Sequence, residues 1–191
     1  MEEFFKYLNT FIKLDNKLIE MFSEVFTVRN FKKREVIQKE GDIATKFYFN
    51  VKGFVRLYYL ADGDEKTAFF YPKNHFVSDF ESYVRETPSK INFQAMEDTQ
   101  LIEITKDAAN KGLELSKEFQ SLAIILMEEE MIVNQQMIRS FLTRTPEQRY
   151  FDLLKDSPEI IQKVPQQHIA SYLRITPESL SRLKNKHYKN S

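Results

Sequence analysis

The residue types best suited to chemistry lie near the C-terminus, where Glu178 and Arg182 stand four positions apart. On a helix this spacing places both side chains on one face. A Glu carboxylate can accept a hydrogen bond from cytosine N4, and an Arg guanidinium can donate two hydrogen bonds to guanine O6 and N7. The pair is therefore suited to reading base edges in DNA. The alternative is an ordinary i, i+4 ion pair on a solvated helix face.

The residues around this pair predict two short helices joined by a tight turn, a helix-turn-helix. Thr176 is a suitable N-cap, and Pro177 fits the first helical position because no N–H is needed there. Arg174 stands in the turn where Gly is usual, so it must adopt positive φ at a cost of about 1 kcal/mol. The predicted inward positions are Ile169, Ala170, Leu173, Ile175, Leu180 and Leu183.

The second helix, predicted over 177–186, is the one that such motifs insert into the major groove. Its outward side chains and its neighbours form the candidate DNA-binding set. The set consists of Gln166, Gln167, Thr176, Pro177, Glu178, Ser179, Ser181, Arg182, Lys184 and Asn185.

The distribution of charge agrees with this assignment, although the net charge is zero. Residues 143–191 contain nine Lys and Arg against five Asp and Glu, whereas residues 1–142 contain nineteen against twenty-three. Positive charge near the motif can neutralise phosphates without reading sequence. The candidates for such contacts are Lys163, Lys184, Lys186 and Lys189.

Composition predicts a folded cytoplasmic protein. The chain is 42% hydrophobic with 17 Phe, which is enough for a packed core. No apolar run approaches the roughly 18 residues that a membrane span needs, and the first residues lack the layout of a secretion signal. The chain has no Cys, which excludes disulfides, thiolate-bound clusters and Cys nucleophiles.

The hydrophobic periodicity divides the chain into zones. Residues 4–25 predict a helix that is interrupted near Asp15, and residues 146–155 predict another helix. Turn signals at Gly41, Gly53 and Gly63 separate short strands, a pattern typical of a sandwich or small barrel. The predicted strands cover residues 26–31, 35–38, 47–51, 54–60, 66–70, 91–96 and 101–104.

Residues 115–141 predict one long helix without Gly or Pro. Its apolar residues exceed what one barrel face needs, so we expect a parallel seam between two copies of the chain. The alternative is that the helix packs only on its own barrel, because Glu129 and Gln136 interrupt the stripe. The predicted seam consists of Leu122, Ile125, Leu126, Ile132 and Val133.

The order of these parts resembles the Crp/Fnr family of bacterial transcription regulators. The resemblance is carried by residues 40–42 (EGD), 52–57 (KGFVRL), 70–76 (FYPKNHF) and 169–182. It implies an α+β fold with a cyclic-nucleotide-binding-like β-roll (a double-stranded β-helix) at 1–114, a dimerisation helix at 115–142 and a winged helix-turn-helix at 143–191. It also implies a homodimer that reads symmetric double-stranded DNA, with RNA polymerase as a further candidate partner.

The effector site departs from the family pattern. Members that bind cyclic nucleotides hold the ribose with a Gly-Glu pair and the phosphate with an Arg followed by Ser or Thr. This chain has Ser78 and Asp79 in place of the pair and Ser89 and Lys90 at the phosphate position, with Arg85 nearby. Without the guanidinium fork we do not expect cyclic AMP to bind, and we expect no cofactor. The alternative is a sensor of a cyclic nucleotide or another small anion that controls DNA binding.

Other functional classes have weaker support. A β-roll can hold a catalytic metal on His clusters, but His75 is the one His in the barrel zone, so we expect neither a metal site nor an enzyme. A ligand-sensing adaptor that has lost DNA binding is a third interpretation, and it rests on Arg174 and Pro177.

Overall fold

A computed structural model describes residues 1–190, apart from the side chains of Leu115 and residues 187–190. Eight strands lie between the first two helices and the long helix, in the zone where the sequence predicts strands. The two-residue strand β6 was not predicted, because it is too short to show alternation. The strands are β1 Thr27–Phe31, β2 Val36–Gln38, β3 Lys46–Lys52, β4 Val55–Ala61, β5 Asp64–Tyr71, β6 Phe76–Val77, β7 Asn92–Ala95 and β8 Thr99–Thr105.

The strands form two four-stranded antiparallel sheets, in the orders β1-β8-β3-β6 and β2-β7-β4-β5. This agrees with the sandwich or small barrel that the turn spacing predicts and confirms the β-roll that the family resemblance implies. Apolar side chains from both sheets meet in its interior. They are Tyr48, Val55, Leu57, Val77, Ile91, Phe93 and Leu101.

Two of the predicted turns depend on backbone conformations that favour Gly. Asp62 and Gly63 both have positive φ, 55° and 81°, and connect β4 to β5 as a two-residue hairpin loop. Gly53 has φ 90°, and a Cβ added there would lie 2.5 Å from Thr99 Oγ1. These turns hold β4 in the register that positions the contacts described below.

Nine helices are present among the described residues. The predicted break near Asp15 is confirmed, because Asp15 Oδ1 caps the second helix by accepting from Leu18 N at 2.8 Å. The predicted long helix begins at Lys117, because Ser116 ends one helix and caps the next. The helices are α1 Glu2–Leu8, α2 Asn16–Val25, α3 Phe80–Arg85, α4 Lys106–Leu115, α5 Lys117–Thr143, α6 Pro146–Asp156, α7 Pro158–Lys163, α8 Gln166–Leu173 and α9 Pro177–Asn190.

The inner face of α5 corrects the predicted dimer seam. Leu122 is 3% exposed and packs with Phe22 and Phe119 in the core between α1, α2 and the roll. Leu126 packs against the same core, whereas Val133 lines a cleft beside the C-terminal helices. These residues bind α5 to its own chain. Of the five predicted seam residues, Ile125 is half-buried and Ile132 is exposed.

Another side of α5 carries a different apolar stripe, and its first half borders a cavity against the roll that is described below. Ile124, Met131 and Ile138 recur every seven residues, and Met127 lies between the first two of them. All of these side chains are more than half exposed, as is Leu142 at the end of the helix. The seven-residue repeat is the spacing of a coiled-coil seam.

The C-terminal unit is built from helices alone. Among described residues 143–190 there is no strand, and α7 occupies the stretch before the motif. The predicted wing is therefore not found in this part of the chain. The unit shares its core with the roll, because Tyr172 packs against Phe70 of β5 with ring centroids 5.5 Å apart. No helix in the described chain is long and apolar enough to cross a membrane.

Candidate nucleic-acid interface and ligand cavity

The helix-turn-helix forms as the sequence predicts. Arg174 has φ 59° and ψ 42°, the left-handed conformation usually taken by Gly. The Ile175 N–H donates to Ala170 O at 3.0 Å and closes the end of α8. Ile169, Leu173 and Leu180 are fully buried between the two helices. The predicted inward face is thus confirmed, and the strained turn is held by packing on both sides.

The start of α9 is fixed by a local cap. Thr176 Oγ1 accepts from the Ser179 N–H at 3.2 Å. The pKa of Glu178 is lowered because its carboxylate accepts from its own backbone N–H and from Thr176. Arg182 Nη2 donates to Ser179 Oγ at 3.4 Å, and no ion pair within 4.0 Å joins the described side chains of Glu178 and Arg182. Both groups therefore remain available to a ligand on the exposed face of α9.

The remaining candidate DNA-binding residues fall into two groups. Gln166 and Gln167 are exposed in the first turn of α8, and Ser181 and Asn185 are exposed beside Glu178 on α9. Lys184 lies on another side of the helix, about 120° from Glu178 at 3.6 residues per turn. It is half-buried, and burial lowers its pKa. Lys184 is therefore positioned at the flank of the surface that Glu178 and Arg182 form.

A buried cation joins the helix-turn-helix to the roll. Arg56 on β4 is fully buried, and its Nη2 donates to Glu65 Oε2 at 2.5 Å and to Gln94 Oε1 at 3.0 Å. Its Nη1 donates to Nδ1 of His168 on α8, and its guanidinium lies 4.1 Å from the centroid of the Tyr58 ring. We call Arg56, Glu65, Gln94 and His168 the Arg56 network. It is the polar centre of the contact between the two units.

The charge state of His168 follows from this arrangement. Because an Arg cannot accept, His168 Nδ1 must be the acceptor, so the ring is neutral. Burial and the Arg56 charge lower the pKa of His168 to about 4. Protonation of this ring would bring a second positive charge against Arg56. The contact therefore requires the neutral imidazole.

Further contacts support the Arg56 network on both sides. Ser171 Oγ accepts from the Thr67 N–H at 2.9 Å and donates to Glu65 O at 3.2 Å. Lys163 forms an ion pair with Glu97 at 3.0 Å and lies 5.3 Å from the ring centroid of Phe54. The first helix of the motif is thus docked on the roll, while α9 faces away from these contacts with Glu178 and Arg182 exposed.

Sequence reasoning missed the Arg56 network. The available signal was the position of Arg56 within the otherwise continuous apolar run 54–60, because such a run predicts a strand that is buried on both faces. A charged residue that cannot avoid burial must have partners. Its partner His168 lies 112 residues away, and no local pattern connects the two.

A large cavity lies between the roll and α5. Its volume is about 910 Å³, and most of its lining is apolar. Rings from three parts of the roll form much of its wall. They are Phe47, Phe69, Tyr71, Phe76, Phe80 and Tyr83.

The predicted effector residues are only partly brought together here. Ser78, Asp79 and Lys90 line the cavity, whereas Arg85 is exposed at the end of α3 and does not line it. Ser89 is buried, and its hydroxyl donates to Ile91 O and accepts from Gln38 Nε2. These hydrogen bonds stabilise the loop and leave the hydroxyl engaged within the protein. Lys90 Nζ lies 3.5 Å from Glu81 Oε2 at the surface. Among the described lining residues Lys90 is therefore the one cation, and its ammonium group lies beside Glu81 and offers no guanidinium fork for a phosphate.

Comparison with known proteins identifies the fold. Residues 28–115 match the family model of the cyclic nucleotide-binding domain. FixK2 from Bradyrhizobium japonicum superposes with a TM-score of 0.68 at 19% identity, over 87% of this chain and 86% of that protein. The c-di-GMP-responsive regulator CLP of Xanthomonas campestris gives 0.69 at 16% identity, over 92% and 93%. A Crp/Fnr-family protein of Eubacterium rectale gives 0.70 at 18% identity, over 97% and 88%. No curated protein sequence matches the chain significantly.

Proposed function

We propose that the chain is a DNA-binding transcriptional regulator, because residues 28–115 match the cyclic nucleotide-binding domain family and the fold is similar to that of Crp/Fnr-type regulators. The observation that carries the proposal is the exposed outer face of α9, where Glu178 and Arg182 lie side by side without pairing. This is the geometry with which a recognition helix reads the major groove. Such a role requires no catalysis and places the protein in the cytoplasm with its DNA.

The residues of the interface have distinct roles. Arg182 donates to a guanine edge and Glu178 accepts from a cytosine, so these two discriminate sequence. Ser181 and Asn185 border them on the same face. Lys184 contacts phosphate at the flank, which adds affinity without specificity. Gln166 and Gln167 open the first helix, at the end that crosses the DNA backbone.

Thr176, Pro177 and Ser179 set the geometry of this interface. Thr176 and Ser179 are engaged with each other at the cap, and Pro177 begins the helix. They determine the angle at which Glu178 and Arg182 approach the bases. These three residues therefore position the reading side chains and do not contact the bases themselves. Thr176 can contact a phosphate only if its hydrogen bonds to Ser179 are broken.

The proposed active form is a homodimer. The exposed stripe of Ile124, Met127, Met131, Ile138 and Leu142 has the spacing of a two-stranded seam, and an apolar stripe of this length is unfavourable in water. A second copy of the chain covers it with the same residues. Two recognition helices related by a two-fold axis then read a symmetric operator.

The DNA-binding assignment predicts different effects for two cations. Arg182→Ala should weaken binding to the cognate operator by about 1–3 kcal/mol and relax the preference for guanine at one position of each half-site. Arg182→Lys keeps the charge but loses the paired donors, so it should lose the same preference with the salt dependence unchanged. Selection of bound fragments from random duplex DNA defines the operator, and titrations over a salt series measure the effects.

Lys184→Ala is the matched comparison for that experiment. It should lower affinity for cognate and random duplexes alike and reduce the salt slope by about one unit. Equal losses on cognate and random DNA for Arg182→Ala would contradict the role given to Arg182. Failure to select any duplex would leave the adaptor interpretation.

A second candidate function is a sensor of a cyclic nucleotide or another small anion, and the family match at residues 28–115 favours it. The cavity argues against it, because an anionic phosphate must be desolvated there without a guanidinium fork. Calorimetry with millimolar cyclic AMP or cyclic GMP should therefore give no saturable heat. Micromolar binding that is lost in Lys90→Ala would establish the sensor instead.

A further inference from the structure

The cavity between the roll and α5 is of the size that small-molecule sites usually have, about 300–1,000 Å³. Its aromatic and aliphatic lining favours an apolar body. The polar groups at such a site fix the chemistry of its ligand, and here the charged groups that line the cavity are carboxylates apart from Lys90.

Asp79 is the first of these groups. It is 7% exposed, and one carboxylate oxygen, Oδ1, accepts from the Ser82 N–H at 3.1 Å. The other oxygen, Oδ2, is buried without any hydrogen-bond partner. A buried oxygen without a partner is costly. A donor that entered the cavity beside Asp79 would satisfy it.

Glu130 is the second group, on the inner face of α5. Its carboxylate accepts one hydrogen bond from the Phe76 N–H, at 3.3 Å, and has no described ion-pair partner. Burial raises its pKa to about 7. Tyr71 lies close enough to both carboxylates to be affected by their charge. Burial raises the pKa of its hydroxyl, and the negative charges of Glu130 and Asp79 raise it further.

The remaining charges around the cavity add to this negative field. Glu81 and Glu128 also line it, and Lys90 is drawn toward Glu81 at the surface. The cavity thus combines an apolar wall, two incompletely satisfied carboxylates and no opposing cation among its described inner residues. It is electrostatically unfavourable for an anion.

We propose that this cavity binds a small organic amine, whose ammonium group pairs with Glu130 and donates toward Asp79 while its apolar body lies against the aromatic wall. Binding itself is independent of DNA recognition. The control of operator affinity by such an amine rests on the proposed function and is measured separately.

Three probes with one apolar body test the proposal. They are 4-phenylbutylamine, 4-phenylbutan-1-ol and 4-phenylbutanoate, titrated calorimetrically into the full chain at neutral pH. The amine should bind saturably and about tenfold more tightly than the alcohol, because the charge-assisted pair adds to the same apolar contact. The carboxylate should give no saturable heat.

Variants separate the site from general hydrophobic binding. Glu130→Gln should lower the amine affinity about tenfold, to that of the alcohol, and leave the alcohol unchanged. Glu129→Gln is the matched control, since Glu129 is exposed and lies outside the lining, and it should change nothing. Asp79→Asn keeps an N-cap for α3 and should also lower the affinity for the amine.

Three results would overturn the proposal. They are binding of the carboxylate as tight as that of the amine, an unchanged amine affinity in Glu130→Gln, and no saturable heat with the amine at millimolar concentration. Each is independent of whether the chain selects an operator, so the failure of this inference differs from the failure of the DNA-binding proposal.

Discussion

Ile138→Asp is expected to separate the homodimer into monomers and to weaken operator binding at least about a hundredfold, because avidity between two half-sites contributes 10²–10⁴-fold. Ile138 is 55% exposed in the single chain and lies in the C-terminal half of the outer stripe of α5. A carboxylate buried there would face its symmetry mate without a partner, which costs several kcal/mol. Sedimentation should show about the 22.8 kDa mass of one chain for the variant and twice that for the wild type.

Two further variants locate the seam on the outer face of α5. Gln136→Asp places the same charge on an exposed residue away from the stripe and should leave the dimer intact. Leu122→Ala should lower the free energy of unfolding by about 2–5 kcal/mol without changing the mass, because Leu122 is buried within its own chain. A dimer that persists in Ile138→Asp with wild-type operator affinity would disprove this seam.

Arg56→Met is expected to detach α8 from the roll and to lower the free energy of unfolding by about 1–3 kcal/mol, the cost of leaving buried acceptors without their donor. The Glu65 side chain is 44% exposed, so water can replace its lost partner. Met approximates the length of the side chain but leaves Glu65, Gln94 and His168 without their common donor. Urea unfolding gives the stability, and hydrogen exchange should show faster exchange in α8. Lys66→Met removes an exposed charge from the neighbouring strand and serves as control.

The pH dependence of stability tests the same network. His168 has a folded-state pKa of about 4, below its unfolded value of 6.5, so the folded state binds fewer protons. The stability that the folded state gains from a neutral His168 is complete above pH 6.5 and is lost as the pH falls toward 4. After allowance for solvent screening it amounts to roughly 1–2 kcal/mol. His168→Gln should flatten this part of the profile, and an unchanged profile would exclude the neutral His168 contact.

The features that the sequence predicted correctly are those specified by neighbouring residues. The helix-turn-helix follows from apolar spacing, from Thr176 as a cap and from Arg174 in a left-handed turn, all within one short segment. The strands of the roll were predicted from the alternation of apolar and polar residues and from Gly-containing turns such as Asp62-Gly63. These signals depend on local backbone geometry, so they can be recognised without knowledge of the tertiary contacts.

The tertiary structure decided which face of each element meets which neighbour. Helix α5 is apolar on two sides, and its periodicity alone could not show that Leu122 faces the core while Ile138 faces outward. The predicted wing is not found among the described residues, where the segment before α8 forms the short helix α7.

The same limit applies to the two sites that depend on distant partners. Arg56 meets His168 across 112 positions of sequence, and Glu130 gains its raised pKa from burial against the roll. Contacts between residues so far apart depend on how the sheets and helices pack, and desolvation depends on everything that surrounds the group. Sequence therefore determined the local elements and the chemistry of α9, whereas only packing created the Arg56 network and the acidic cavity.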